Sequence, residues 1–181
     1  MAQEVLRPNS TINAVWLANT YANIDEVVLD PAAGDGNFVQ AGKNDSDEEE
    51  SWGFDNTSLT ENVNQITLHL YARSNSNAPT MQMRLEVGAG NYTDYQSEAF
   101  AVGTYTWYTY TFNADTSWTT AQINDLRVNI LAPSDLASTK TCNIDTMYVT
   151  AIEGESGGGG GGGTPSDNSK SVKTVLLGSP F

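Results

Sequence analysis

A run of aromatic residues is the first feature of this sequence that could do chemistry. Residues 104–112 read Thr-Tyr-Thr-Trp-Tyr-Thr-Tyr-Thr-Phe, and these residue types favour a β-strand. Because successive side chains of a strand point to opposite faces, Tyr105 and Trp107 share one face. The other face carries three aromatic residues, Tyr108, Tyr110 and Phe112. We expect these three to lie in a core. Tyr105 and Trp107 are then free to stack on sugar rings, with ordinary packing as the alternative.

An acidic cluster is the second candidate. Residues 45–50 read Asp-Ser-Asp-Glu-Glu-Glu, five carboxylates in six positions. Calcium takes six to eight hard oxygen ligands, so the cluster is a candidate calcium loop. The glycine and the flanking helices of an EF-hand are not found there. The alternative is a solvated loop that its like charges keep extended.

The sequence contains few residues whose spacing could form a catalytic site. Asp25 and Glu26 are adjacent, so on a strand they face opposite ways and cannot form the carboxylate pair of a glycoside hydrolase. The sequence does not place Asp145 near either of them. The single histidine, His69, has no partner suggesting a catalytic triad, and we expect it to face solvent on a strand. Cys142 is expected to be a small buried hydrophobic residue. We therefore predict no enzymatic activity, no cofactor and no catalytic metal.

The elements that must position these residues are mostly strands. Four segments alternate apolar and polar residues with period two: residues 66–73, 81–87, 126–130 and 147–151. Weaker candidates are residues 14–17, 24–28, 38–39 and 52–54. Polar turns at residues 74–79 and 88–91 separate strands. The pattern predicts an all-β fold, an antiparallel β-sandwich of the jelly-roll type.

One short helical turn is expected among the strands. Residues 119–124 read Thr-Thr-Ala-Gln-Ile-Asn. Thr119 is an N-cap residue, and Gln122 stands three positions later, where its side chain can reach back to the cap. This spacing predicts a capping box.

Charge excludes several partners. The chain has 22 acidic and 8 basic residues, a net charge of −14. Such a protein repels phosphate backbones and anionic lipid surfaces, so we expect no nucleic-acid or membrane partner. The N-terminus lacks the basic and apolar regions of a signal peptide, which predicts either a protein synthesised in the cytoplasm or a mature chain with an added initiator methionine. The single cysteine forbids an internal disulfide.

Seven consecutive glycines at residues 157–163 divide the chain. We predict a β-sandwich domain over residues 1–155, a flexible linker over residues 156–170 and a C-terminal docking peptide over residues 171–181. The docking residues are the large apolar ones of the peptide: Val172, Val175, Leu176, Leu177 and Phe181. An apolar β-prone segment of this kind needs a cover. We expect it to add a strand to a neighbouring subunit, with a fold-back onto its own domain or a disordered end as alternatives.

Several segments carry a resemblance. Residues 5–9 (Val-Leu-Arg-Pro-Asn), 24–26 (Ile-Asp-Glu), 118–126 (Trp-Thr-Thr-Ala-Gln-Ile-Asn-Asp-Leu) and 144–149 (Ile-Asp-Thr-Met-Tyr-Val) resemble small β-sandwich proteins of tailed-phage virions. The resemblance covers most of residues 4–152.

The resemblance implies a non-enzymatic virion structural protein, a capsid decoration or cement protein or a fibre module. Its partners are then capsid or other virion subunits, it forms a homo-oligomer, and it is located in the virion. Its termini would hold neighbouring subunits, the N-terminal one through a short strand at residues 4–6. The closing segment, residues 144–149, also looks like the last strand of carbohydrate-binding jelly rolls. A carbohydrate-binding module, or a decoration protein that touches host glycans, is therefore the alternative.

Overall fold

A computed structural model of the chain describes residues 2–16, 24, 38–42, 45–75, 79–134, 136 and 140–154. They form ten strands and one helix: β1 (Gln3–Leu6), β2 (Pro8–Asn13), β3 (Val39–Ala41), β4 (Glu49–Phe54), β5 (Val63–Ser74), β6 (Thr80–Glu86), β7 (Gln96–Ala99), β8 (Thr106–Trp118), α1 (Thr120–Asn124), β9 (Arg127–Leu131) and β10 (Cys142–Glu153).

The strands form two five-stranded sheets, and every pairing between them is antiparallel. The first sheet has the order β1-β10-β5-β8, with β3 also paired to β10. The second has the order β2-β4-β9-β6-β7. The predicted fold class, an all-β antiparallel sandwich, is confirmed.

The core lies between the two sheets and follows from the alternation in the sequence. In β5, Leu68 and Leu70 are fully buried while their neighbours Thr67 and Tyr71 are only partly buried. The same pattern in β6 buries Met81, Met83 and Leu85. Each such side chain stabilises the fold by about 1.5 to 3 kcal/mol when it leaves water.

The helix and one turn match the sequence prediction closely. Thr119 caps α1, and its side chain accepts a hydrogen bond from the Gln122 backbone N–H, while the Gln122 side chain accepts from the Thr119 N–H at 2.9 Å. This is the predicted capping box. After β6, Gly88 and Gly90 adopt φ angles of 74° and 79°, which only glycine adopts without strain, and the chain turns there toward β7.

The N-terminal segment forms the short strand that the sequence predicts. Residues 4–6 belong to β1, which pairs with residues 149–151 of β10 in the same chain. The hydrogen bonds of β1 toward β10 are therefore made within the domain. Because β1 stands first in its sheet, the expected contact of its other edge with a neighbouring subunit stays a prediction.

Of the weaker strand candidates, residues 39 and 52–54 lie in β3 and β4. Residues 14–16 lie beyond the end of β2 and are not in a strand. The sequence reading did not identify β2, which is polar and lies at a sheet edge, or the short strand β7. Within the part of the chain that the structure describes, no helix is long and apolar enough to cross a membrane.

Candidate functional site

The aromatic run divides between the two faces of the first sheet as predicted. In the register of β8 with β5, Tyr108 lies beside Leu70, and Phe112 beside Ile66. Phe112 is buried, and Tyr108 and Tyr110 pack against the core. Trp107 lies beside Tyr71, on the outer face of the sheet. Tyr105, one residue before β8, joins that outer face by stacking on Tyr71.

Five rings meet on this outer face and form what we call the aromatic face: His69, Tyr71, Tyr105, Trp107 and Tyr148. Tyr71 lies 5.2 Å from Tyr105 and 5.1 Å from Trp107, measured between ring centroids. Trp107 meets Tyr148 edge-on at 5.7 Å, and Tyr148 stacks on His69 at 4.3 Å. All five rings are partly buried. The cluster spans three neighbouring strands, β8, β5 and β10.

His69 is on the predicted face, but it is not solvated as we expected. Tyr148 stacks on its ring with an angle of 9° between the planes. Its ring nitrogens lie 3.5 Å from the Thr109 hydroxyl and 3.2 Å from the Thr150 hydroxyl. Burial lowers the pKa of His69 to about 4, because removal from water disfavours the charged ring. The centre of the aromatic face is therefore neutral at ordinary pH.

A polar corner borders the aromatic face at Tyr105. The Arg73 guanidinium carbon lies 4.6 Å above the centre of the Tyr105 ring, a cation–π contact. The Gln40 side chain donates a hydrogen bond of 2.9 Å to the Asn143 side chain. Burial raises the pKa of Tyr105, and the nearby Asp145 carboxylate adds to this effect while Arg73 opposes it. Asp145 itself is buried.

The sequence reading named two of the five rings, Tyr105 and Trp107, and missed Tyr71 and Tyr148. The sequence did contain a signal for both tyrosines, because each occupies a polar position of an alternating strand and so lies on the face away from the core. What the sequence does not contain is the register: Tyr71 is opposite Trp107, and His69 is opposite Tyr148. Only strand pairing brings these four residues together.

The acidic residues 45–50 are only in part a solvated loop, because Asp47 and Glu48 are exposed while Glu49 and Glu50 belong to β4. Asp45 and Glu50 are buried, and the Asp45 carboxylate accepts a 2.7 Å hydrogen bond from the Gly42 N–H. Glu49 forms an ion pair with Arg84 at 3.0 Å and accepts a hydrogen bond from the Tyr95 hydroxyl. The carboxylates thus face different partners. Across the described residues, no three acidic, histidine or cysteine side chains form a group suited to a metal ion.

Glu50 is the most unusual member of this cluster. Its Oε2 accepts hydrogen bonds from the Val15 and Trp16 N–H groups at 2.7 and 2.9 Å. Its Oε1 is buried with no hydrogen-bond partner among the described residues. Burial raises the pKa of Glu50 to about 7, against the effect of the two backbone hydrogen bonds. The carboxyl group holds the chain at Trp16 rather than forming part of an exposed ligand set.

Of the remaining candidates, the structure describes Cys142 but not the acidic pair or the docking residues. Cys142 begins β10, is fully buried, and has a pKa raised by burial to about 12, so the prediction of a small hydrophobic residue is confirmed. Asp25 and Glu26 lie outside the described residues. So do all the docking residues: Val172, Val175, Leu176, Leu177 and Phe181.

No known protein family matches the chain, and no curated protein matches it. Among solved structures, 24 chains match. One is a CBM4 module, at 15% identity over 64% of this chain and 82% of that one, with a TM-score of 0.44. Another is CBM86, a low-affinity xylan-binding module from Roseburia intestinalis, at 14% identity over 84% and 96%, with a TM-score of 0.42. A third is CBM29_1 from Piromyces equi, at 9% identity over 86% and 94%, with a TM-score of 0.39. At these TM-scores the likenesses do not carry function to this chain.

Proposed function

We propose that this protein binds carbohydrate, without catalysis, on the aromatic face of its first sheet. The observation that carries the proposal is the contiguous group of five rings across β8, β5 and β10, on the side of the sheet that faces away from the core. Single Tyr, Trp and His rings at a surface are ordinary, because these residue types are intermediate in burial. A group of them on an outer strand surface marks a site for a partner.

The chemistry of the aromatic face fits a sugar. A pyranose ring presents axial hydrogens that pack on a ring face, and hydroxyl groups at its rim that need hydrogen-bond partners. Trp107 and Tyr71 supply the faces. Gln40 and Thr109, which are partly exposed, supply polar groups within the same sheet. Since these side chains stand on paired strands, their positions are set before the ligand arrives.

Charge narrows the class of carbohydrate. The whole chain carries a net charge of −14, which repels polyanions. His69 is neutral at ordinary pH, and Arg73 is already in contact with the Tyr105 ring. The ligand we expect is a neutral oligosaccharide or polysaccharide.

The test is a panel of neutral soluble glycans followed by calorimetry with single variants. Trp107→Ala removes the largest ring of the face, and we expect at least about a tenfold loss of affinity. Tyr92→Ala is the matched control, because Tyr92 is exposed and stacks on Arg84, a residue of the second sheet. A parallel series with a chelator tests whether glycan binding depends on calcium, the candidate ligand of residues 45–50. Absence of any binder, or equal affinity of the Trp107→Ala variant and the parent, would contradict the proposal.

The virion structural role stays a second proposal, favoured by the apolar peptide that follows the glycine run. In this role a non-enzymatic decoration protein attaches to capsid or other virion subunits through residues 171–181, in place of a fold-back of this segment onto its own domain, and host glycan is a secondary partner. Its test is a chain cut after Glu155. We expect the cut chain to lose occupancy on virus particles, and unchanged occupancy would contradict the role of the arm.

A further inference from the structure

Among the described residues, the outer edge of β8 has no partner strand. Residues 106–113 pair continuously with residues 72–65 of β5 on one side. On the other side, no strand among the described residues pairs with β8, which stands last in its sheet. Alternate residues of such an edge turn their N–H and C=O groups away from the sheet. These eight residues, Thr-Trp-Tyr-Thr-Tyr-Thr-Phe-Asn, include no charge, no proline and no glycine.

The other edge strands are protected by devices that natural sheets commonly use. β1 and β7 have four residues each, and each contains a glutamate, Glu4 and Glu98. β2 begins with Pro8 and has two register shifts against β4. β8 also contains one acidic residue, Asp115, and one register shift against β5, but both lie beyond residues 106–113. Over those eight residues the edge has none of these devices, and such an edge is a template for pairing with another strand.

The sequence supplies one segment with the matching chemistry. Residues 171–177 read Ser-Val-Lys-Thr-Val-Leu-Leu, with three large apolar residues in the last three positions and one charge. The valines and the threonine favour an extended strand. The net charges also favour docking of this segment on the body of the same chain, because residues 156–181 carry a net charge of +1 while residues 1–155 carry −15.

The length of the linker and the direction of the chain both allow residues 171–177 to reach the outer edge of β8. Glu153, next to the last described residue, pairs with Val63 of β5, and Val63 pairs with Trp118 of β8. The chain thus leaves the body at the end of the sheet where β8 ends. The open edge is three strand spacings away, about 14 Å. The 16 residues between Gly154 and Ser171 span about 20 to 24 Å on average as a flexible chain. A segment that enters there and runs back along β8 is antiparallel to it.

We propose that the open edge of β8 is the docking site for residues 171–177 of the same chain, which add a sixth, antiparallel strand to the first sheet. The short tether gives this segment a high effective concentration at its own edge, about millimolar. The tail of a neighbouring copy has no such advantage in dilute solution. The docked strand would lie beside Trp107 and Thr109, at the border of the aromatic face.

Residue-resolved hydrogen–deuterium exchange on the full chain and on a chain ending at Glu155 tests the proposal. In the full chain we expect the amides of residues 106–113 that face away from β5 to exchange at least about tenfold more slowly than in the cut chain. Amides of residues 171–177 are expected to be protected as well. The edge strand β7 is the internal control, with equal exchange in both chains. Equal exchange of β8 in both chains overturns the proposal.

Proline variants locate the docked strand. Adjacent amides of a strand point to opposite sides, so either Val175→Pro or Leu176→Pro must remove a hydrogen bond to β8. We expect at least one of them to show the exchange of the cut chain. Ser169→Pro, in the linker, is the matched control and should behave as the full chain. If neither tail variant exposes β8, the proposal fails.

Sedimentation over a wide concentration range identifies the donor. A monomer with a protected β8 edge supports docking within one chain. Protection that appears only with a concentration-dependent dimer overturns it, in favour of exchange of tails between copies or, if the cut chain dimerises equally, of direct pairing between two β8 edges.

Discussion

Two ionisable residues, the buried Glu50 and the partly buried His69, have pKa values shifted in favour of their neutral forms. Burial raises the pKa of Glu50 to about 7 and lowers the pKa of His69 to about 4. Their contributions to stability therefore have opposite pH dependence. The contribution of Glu50 is complete below its usual pKa of 4.5 and is lost as the pH rises to about 7. The contribution of His69 is complete above its usual pKa of 6.5 and is lost as the pH falls to about 4.

Glu50→Gln tests the first of these effects. The glutamine can still accept the hydrogen bonds of the Val15 and Trp16 N–H groups, but it does not ionise. From pH 4.5 to pH 8 we expect the free energy of unfolding of the variant, relative to the parent, to rise by about 1 to 3 kcal/mol. Denaturant unfolding at the two pH values measures it. Parallel pH profiles for the two proteins would contradict the raised pKa.

The pKa of His69 can be measured directly, because it is the single histidine of the chain. Its imidazole resonance should be constant from pH 8 to about pH 5.5 and should titrate near pH 4. A Tyr148→Ala variant removes the stacked ring and admits water. We expect the pKa in this variant to move toward 6.5. A titration near pH 6.5 in the parent protein would show that the ring is solvated after all.

At the scale of elements, three long strands dominate the first sheet. β5 and β10 have 12 residues each and β8 has 13. Their alternation gives one face to the core and leaves the other with rings and threonines. Long paired strands hold these side chains at fixed spacing, whereas a loop would let them move. The aromatic face is thus a property of the sheet rather than of any single strand.

The helix α1 gives a prediction at this scale. Thr119→Ala removes the side chain that accepts a hydrogen bond from the Gln122 N–H. We expect a loss of about 1 kcal/mol in the free energy of unfolding. Thr116→Ala, an exposed threonine in β8, is the matched control and should change stability by less than half of that amount. Equal effects of the two substitutions would show that the capping box contributes nothing.

At the scale of the whole molecule, the strong negative charge makes the salt dependence of binding differ between neutral and charged ligands. Stacking of a neutral sugar on the aromatic face involves no formal charge on the ligand, so salt hardly screens it. A charged partner would instead bind more weakly as salt increases. The net charge of −14 therefore lets ionic strength report on the kind of ligand.

We expect the affinity for a neutral glycan to change by less than about twofold between 50 and 500 mM salt. Calorimetry at both concentrations, with the same glycan, measures this. An anionic polysaccharide of similar length is the comparison and should not bind at low salt. A steep fall of affinity with salt would indicate an electrostatic ligand and would count against the neutral class.

The residues alone determined the kind of fold. Period-two alternation, turn residues and a capping pair are local signals, and each predicted its element: β5, β6, β9, β10, the turn at Gly88 and the helix at Thr119. Alternation also decided which rings of β8 face the core. These features depend on backbone geometry over a few residues, so a single segment contains the information.

Tertiary structure decided what those segments do together. The register between β5, β8 and β10 brought Tyr71, Trp107, His69 and Tyr148 to one place from positions up to 79 residues apart. Strand pairing placed β1 beside β10 and left β8 without a second partner strand among the described residues. Glu50, which the alternative of a solvated loop places in water, is a buried carboxyl group. Register and burial depend on contacts between distant segments, and no local pattern contains them.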